Sequence, residues 1–136
     1  MKNIARLLIL CVFLATASTA IAEFAFGTPT FALNSAELNG QGKAILADAA
    51  EILKRYPEYK LKIYGSRGNL ESDRSISKKR LRTARAFLIE SGISRRRIIL
   101  EDIGSSQPLL PNCHDYDASD DCDKYDRRIM LQLIAP

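Results

Sequence analysis

Two segments of the chain carry apolar residues at the three- and four-residue spacing of an amphipathic helix. The first follows Asn39, a residue type that often caps helix N-termini, and stops before Pro57. The second ends at Ser91-Gly92, and its apolar positions form one arc: Ile76, Leu81, Ala84, Phe87 and Leu88. The pattern therefore predicts two helices, each with one face toward a core.

Four short segments have the alternating or β-branched character of strands, and they span residues 30–33, 61–64, 98–103 and 127–134. Together with the helices they give the order β-α-β-α-β-loop-β. Two helices in such a chain pack on one face of a four-stranded sheet. The predicted fold is an α+β two-layer sandwich.

Arg80 is the basic residue of the second helix that falls inside the apolar arc, whereas the others lie outside it or at its edge, as a solvated face would. A buried guanidinium requires a compensating acid, because an unpaired buried charge costs several kcal/mol or more. Three interpretations remain open from the pattern. Arg80 pairs with Asp73, seven residues earlier on nearly the same line; its stem covers the core while its head reaches water; or it binds an external acid.

Residues 1–22 have the features of an export signal, with a positive start, an apolar run and the small residues Ala20-Ile21-Ala22 before the predicted cleavage site. We therefore expect residues 23–136 to form a single periplasmic domain. An apolar run of about eleven residues is too short to span a membrane, which requires roughly 20. The sequence therefore predicts that the protein has no membrane span of its own.

Removal of the signal leaves two cysteines, Cys113 and Cys122, which in an oxidising compartment predict a disulfide. Their spacing is not that of a zinc site, so no metal is expected. Residues 67–97 are rich in Arg and Lys, but an exported domain does not meet nucleic acid, so we expect no nucleic-acid partner. No catalytic constellation or phosphate-binding loop is present, so we expect neither an enzyme nor a cofactor.

Several stretches resemble the OmpA-like C-terminal domain, and together they cover about Thr30 to Ile134. They are Phe31–Leu46 (FALNSAELNGQGKAIL), the strand ending at Gly65, Ile76–Leu81 (ISKKRL) and Asp126–Leu131 (DRRIML). Members of that family hold outer-membrane proteins and lipoproteins to peptidoglycan. The resemblance implies non-covalent association with the diamino acid of the stem peptide, usually diaminopimelate, and a place at the cell wall or outer membrane.

The resemblance also implies a site. Arg80 matches the arginine that takes the ligand carboxylate in the family's Leu-Ser-x-x-Arg-Ala motif, a role that suits a planar fork of donors. The family's second anchor is the aspartate of Gly-His-Thr-Asp, but this chain has Gly68 there, and its loop is about three residues shorter. Asp73, for the ligand ammonium, and Asn34, at the turn after the first strand, are the remaining candidates.

Two further interpretations of the missing aspartate stay open. Arg67 changes the preference toward a more anionic stem peptide, or the site is lost and the domain is a protein-binding adaptor or a structural component of an envelope complex. In the adaptor interpretation, the contact surface is the basic face of the second helix, formed by Arg74, Lys78, Arg82 and Arg85.

Overall fold

The computed structural model describes residues 25–110 and 120–136 of the 136-residue chain. The described elements, in chain order, are α1 (Gly40–Arg55), β1 (Lys60–Ser66), α2 (Ile76–Glu90), β2 (Ile98–Gly104), α3 (Asp120–Asp123) and β3 (Ile129–Ile134). A 3-10 turn, Arg95–Arg97, precedes β2. The α+β class and both long helices are confirmed, while the signal predicted for residues 1–22 lies outside the described residues and stays a prediction.

The helix ends follow from local chemistry. The side chain of Asn39 accepts a hydrogen bond from the backbone N–H of Gly42 at 2.8 Å, which satisfies one of the free donors at the start of α1. The helix ends at Arg55, two residues before Pro57. Past the end of α2, Gly92 has a φ of 98°, a left-handed conformation that favours glycine. The predicted start of α1 and stop of α2 are confirmed.

The sheet has the order β2-β1-β3, with β1 parallel to β2 and antiparallel to β3. Helix α2 connects the two parallel strands, as a crossover must. On the inner face, Ile63 of β1 lies opposite Leu100 and Leu131 on its two neighbours. The same pairing places Lys62 and Tyr64 on the outer face, so the helices pack against one face of the sheet only.

The predicted four-stranded sheet is not confirmed, because the segment at residues 30–33 forms only an isolated bridge between Thr30 and Arg128. Two backbone hydrogen bonds lie near this bridge. The N–H of Phe31 donates to the carbonyl of Arg127 at 2.8 Å, and the N–H of Ile129 donates to the carbonyl of Pro29 at 3.0 Å. Pro29 has no N–H to donate, and Asn34 turns the chain away with a φ of 53°. The described residues therefore form a three-stranded sheet with a bridged segment beside β3.

The core lies between the helices and the inner face of the sheet. Its fully buried members come from every layer: Leu46, Leu53, Leu61, Ile63, Leu88 and Ile129. Burying each such side chain stabilises the fold by about 1.5–3 kcal/mol. Helix α2 packs tightly against β1 at Gly65, where a Cβ would lie 2.6 Å from Leu81 Cγ, so this position requires glycine. The close approach brings the first turns of α2 over the end of β1.

No helix within residues 25–110 and 120–136 has both the length and the apolar character needed to cross a membrane.

Candidate functional site

Arg80, in the second turn of α2, is fully buried, and all five of its N–H groups have acceptors. Nε donates to the carbonyl of Ser35 at 2.9 Å. One terminal nitrogen donates to the carbonyl of Ser66 at 3.2 Å and to Glu71 Oε2 at 2.7 Å. The other donates to the carbonyl of Ala32 at 3.3 Å and to Glu71 Oε1. The guanidinium is therefore saturated by its own chain.

Glu71 is the acid that the buried guanidinium requires. It holds Arg80 in a bidentate pair, and neither side chain has any exposed surface. The carboxylate also accepts from the backbone N–H of Asn34 at 3.1 Å and of Gly68 at 3.0 Å. The Phe31 ring adds a cation–π contact, with its centroid 5.0 Å from Arg80 Cζ. A pair with this many hydrogen bonds offsets the desolvation of both charges.

Three segments meet at this pair. The turn at residues 32–35 supplies two carbonyl groups, the end of β1 supplies a third, and the loop between β1 and α2 supplies Glu71. The arrangement is a carboxylate-binding site, because a guanidinium fork receives both oxygens of one acid. In this structure, the acid comes from the domain itself.

Asp73 does not contact Arg80, so the internal Arg80–Asp73 pair is wrong. Helix α2 begins at Ile76, and Asp73 therefore lies before the helix, where helical spacing does not apply. Its carboxylate instead pairs with Lys79 Nζ at 2.6 Å and accepts from the N–H and hydroxyl of Ser75 at 2.8 and 2.7 Å. These bonds, with Lys79 first, hold the pKa of the Asp73 carboxyl well below its usual range.

Asn34 lies beside the pair and fastens the loop that carries Glu71. Besides the bond from its N–H to Glu71, its side-chain oxygen accepts from the N–H of Ser72 at 2.9 Å and from the Ser72 hydroxyl at 3.2 Å. Its φ of 53° is one that asparagine tolerates better than most residues. Asn34 thus lies in the turn that contacts Arg80, and its polar groups bind the loop. Its role in ligand binding stays a prediction.

Gly68, where the family aspartate was expected, lies against a buried carboxylate from another element. A Cβ at Gly68 would overlap the carboxylate of Asp123, which is fully buried at the end of α3. Asp123 accepts from the N–H of Leu70 at 3.0 Å and lies 3.6 Å from a terminal nitrogen of Arg127. A second acid therefore occupies the space beside Gly68. The Arg67 side chain donates to the carbonyl of Gly68 at 3.4 Å.

Sequence reasoning identified Arg80 and missed both acids. Glu71 carried one usable signal, since it is the other carboxylate in the loop that contains Asp73. Asp123 carried none, because its contact with the loop spans 53 positions. Cys122 is buried, but Cys113 lies outside the described residues, so the disulfide stays a prediction. Within the described residues, no group of three or more His, Cys, Asp or Glu could hold a metal ion.

The fold is similar to those of several solved structures. The peptidoglycan-associated lipoprotein from Burkholderia pseudomallei is 19% identical with a TM-score of 0.69, over 78% of this chain and 88% of that chain. The C-terminal domain of Helicobacter pylori MotB is 17% identical with a TM-score of 0.70, over 82% and 87%. The OmpA-like domain of FopA1 from Francisella tularensis is 22% identical with a TM-score of 0.58, over 80% and 71%.

The two-layer fold is thus that of an OmpA-like domain. The family model described as "OmpA family" matches residues 30–119, and the chain belongs to this family. No curated protein matches the chain.

Proposed function

We propose that this chain is a non-enzymatic module of the bacterial cell envelope that binds peptidoglycan through a stem-peptide carboxylate, once Glu71 leaves Arg80. The observation that carries this proposal is the bidentate carboxylate in the Arg80 fork. Arg80 is also the residue to which the sequence resemblance assigns the ligand acid. Family membership and the likeness to a peptidoglycan-associated lipoprotein support it. The predicted signal agrees with a periplasmic location at the cell wall or outer membrane.

Binding at this site is an exchange of one acid for another. Arg80 is fully buried, so a ligand reaches it only when the loop around Glu71 opens. Asn69, Leu70 and Ser72 are exposed and outside the apolar core, so opening of this loop breaks its hydrogen bonds to Asn34 and Asp123 but no apolar core contact. Asp73 lies on the same loop with a third of its side chain exposed, and is our candidate for the ammonium group of diaminopimelate.

The closed form should weaken binding measurably. A minor open state of a two-state protein is populated at about 0.1–10%. The apparent affinity is the affinity of the open state multiplied by this fraction, so closure by Glu71 would weaken ligand binding by roughly 10- to 1000-fold. The proposal therefore predicts a modest affinity for the wild type and a gain when the internal acid is weakened.

Co-sedimentation with purified sacculi tests this. We expect partial retention of the wild type and at least tenfold tighter retention of Glu71→Gln, because the amide keeps the shape but loses the charge that competes with the ligand. Adding Arg80→Lys to Glu71→Gln should abolish the gain, since an ammonium cannot replace the fork. Free diaminopimelate should compete. Failure of both the wild type and a folded Glu71→Gln variant to sediment would contradict the proposal.

The second candidate is a degenerate OmpA-like module that serves as a protein-binding adaptor in an envelope complex. The observation that favours it is the saturation of Arg80, which makes the Arg80–Glu71 pair purely structural. In that case Glu71→Gln loses stability without any gain in sacculus retention. The two candidates therefore differ in whether Glu71→Gln increases sacculus retention.

A further inference from the structure

A groove of about 320 Å³ runs along α2 beside the edge of the sheet, away from Arg80. Its floor is apolar, formed by Leu81 of α2 and Leu100 of β2. Its other lining residues are three cations of α2 and one acid of β2: Lys78, Arg82, Arg85 and Asp102. We refer to this feature as the α2–β2 groove.

The three cations carry an uncompensated charge. Positions four and seven residues apart share one side of a helix, so Lys78, Arg82 and Arg85 form a single row. Across the part of the chain that the structure describes, none of them has an ion-pair or hydrogen-bond partner, in contrast to Lys79, which pairs with Asp73. Asp102 is already engaged, since it accepts from the Ser77 hydroxyl at 2.6 Å and from a backbone N–H at 3.0 Å. The groove therefore attracts anions.

The other side of the groove is a sheet edge. In the described sheet, β2 pairs with β1 along one side and with no strand along the other. Such an edge presents backbone N–H and C=O groups that another extended chain can pair with. Because β2 is seven residues long, it offers a full strand length of these groups.

We propose that the α2–β2 groove binds an extended acidic segment of a partner protein, which adds to β2 as a further strand. The spacing supports this occupant. Lys78 and Arg82 are about 6 Å apart along the helix axis, and alternate side chains on one face of a strand are about 6.6 Å apart. Acids at alternate positions of the added strand therefore face the row of cations. The side chains between these acids point to the opposite face of the sheet and do not enter the groove.

Charge and shape together favour a peptide over a membrane. An anionic lipid surface is broad and supplies no backbone groups, so it would leave the edge of β2 unpaired. A strand satisfies both the edge and the cations in a single contact. Binding here does not depend on Arg80, so this inference stands or falls separately from peptidoglycan binding.

The probe is a labelled peptide with alternating Asp and Val. It has seven residues, the length of β2. We expect saturable binding by fluorescence anisotropy, weakening at high ionic strength, and shifts of the β2 amide resonances. Lys78→Glu with Arg82→Glu should reduce affinity at least tenfold, because like charges then face each other. Both positions are exposed, and Lys78 lies in the first turn of α2, where Glu favours the helix, so the variant should stay folded.

Two controls make the test specific. Arg95→Glu with Arg96→Glu reverses two exposed cations outside the groove and should leave peptide affinity unchanged. A peptide N-methylated at alternate residues keeps its charge but cannot pair as a strand, and should not bind. Equal binding of the methylated peptide, or the loss of binding in the control variant, would overturn the proposal. So would binding to phosphatidylglycerol vesicles that the acidic peptide fails to displace.

Discussion

Replacement of Arg80 by Met removes the guanidinium, retains an apolar stem and leaves Glu71 buried without its counter-charge. Removing one partner of a buried ion pair costs about 3–5 kcal/mol, because the remaining charge stays desolvated. A typical domain has only about 5–15 kcal/mol of net stability. We therefore expect Arg80→Met to lower the urea midpoint strongly and the melting temperature by roughly 10 to 20 °C.

The decisive measurement is the effect of Glu71→Gln in two backgrounds. In the wild type this substitution weakens the pair and destabilises the domain. In Arg80→Met it removes the unpaired charge and keeps one amide oxygen, which can accept from the backbone N–H of either Asn34 or Gly68. Because relief of a buried unpaired charge outweighs the loss of one hydrogen bond, the substitution should raise stability there. Residues in one buried network commonly show coupling energies of about 0.5–3 kcal/mol. The stability change caused by Glu71→Gln should therefore be opposite in sign in the two backgrounds.

Urea unfolding at neutral pH, followed by circular dichroism, gives the four free energies of this double-mutant cycle. The reasoning fails if Arg80→Met lies within about 0.5 kcal/mol of the wild type, the range of an ordinary surface change. It also fails if Glu71→Gln changes stability by the same amount in both backgrounds. Either result would mean that Arg80 and Glu71 do not depend on each other in solution.

Three further predictions concern single features of the fold. Gly68→Ala should destabilise the domain by about 1–3 kcal/mol through overpacking, whereas Gly40→Ala, where nothing lies within 4 Å of a Cβ, should be tolerated in the same unfolding assay. The pKa of Asp73 is depressed, so its contribution to stability is complete above pH 3.8, the pKa of the unfolded chain, and is lost as pH falls through the folded pKa. Carbon NMR titration should show the depressed pKa in the wild type and a higher pKa in Lys79→Gln. Reduction of the disulfide predicted at Cys122 should lower stability by roughly 2–3 kcal/mol, and an unchanged unfolding midpoint in dithiothreitol would argue against the bond.

The helical pattern identified Arg80 correctly because burial on a helix is periodic. Once Ile76 and Leu81 fix which side of α2 faces the core, the orientation of every residue between Ile76 and Glu90 follows. The same reasoning failed one turn earlier. Asp73 was placed on the line of Arg80 by extending a helix beyond its first residue, and a loop has no such periodicity.

Local sequence by itself determined the helices, the three described strands and the inward direction of Arg80, since these depend on the spacing of apolar residues and on caps such as Asn39. Tertiary structure alone decided which acid meets the guanidinium. Glu71 reaches Arg80 because a loop folds back under Asn34, and Gly68 is needed because Asp123 arrives from far along the chain. A buried charge must find a partner, but only the path of the backbone in space decides whether that partner belongs to the domain or to a ligand.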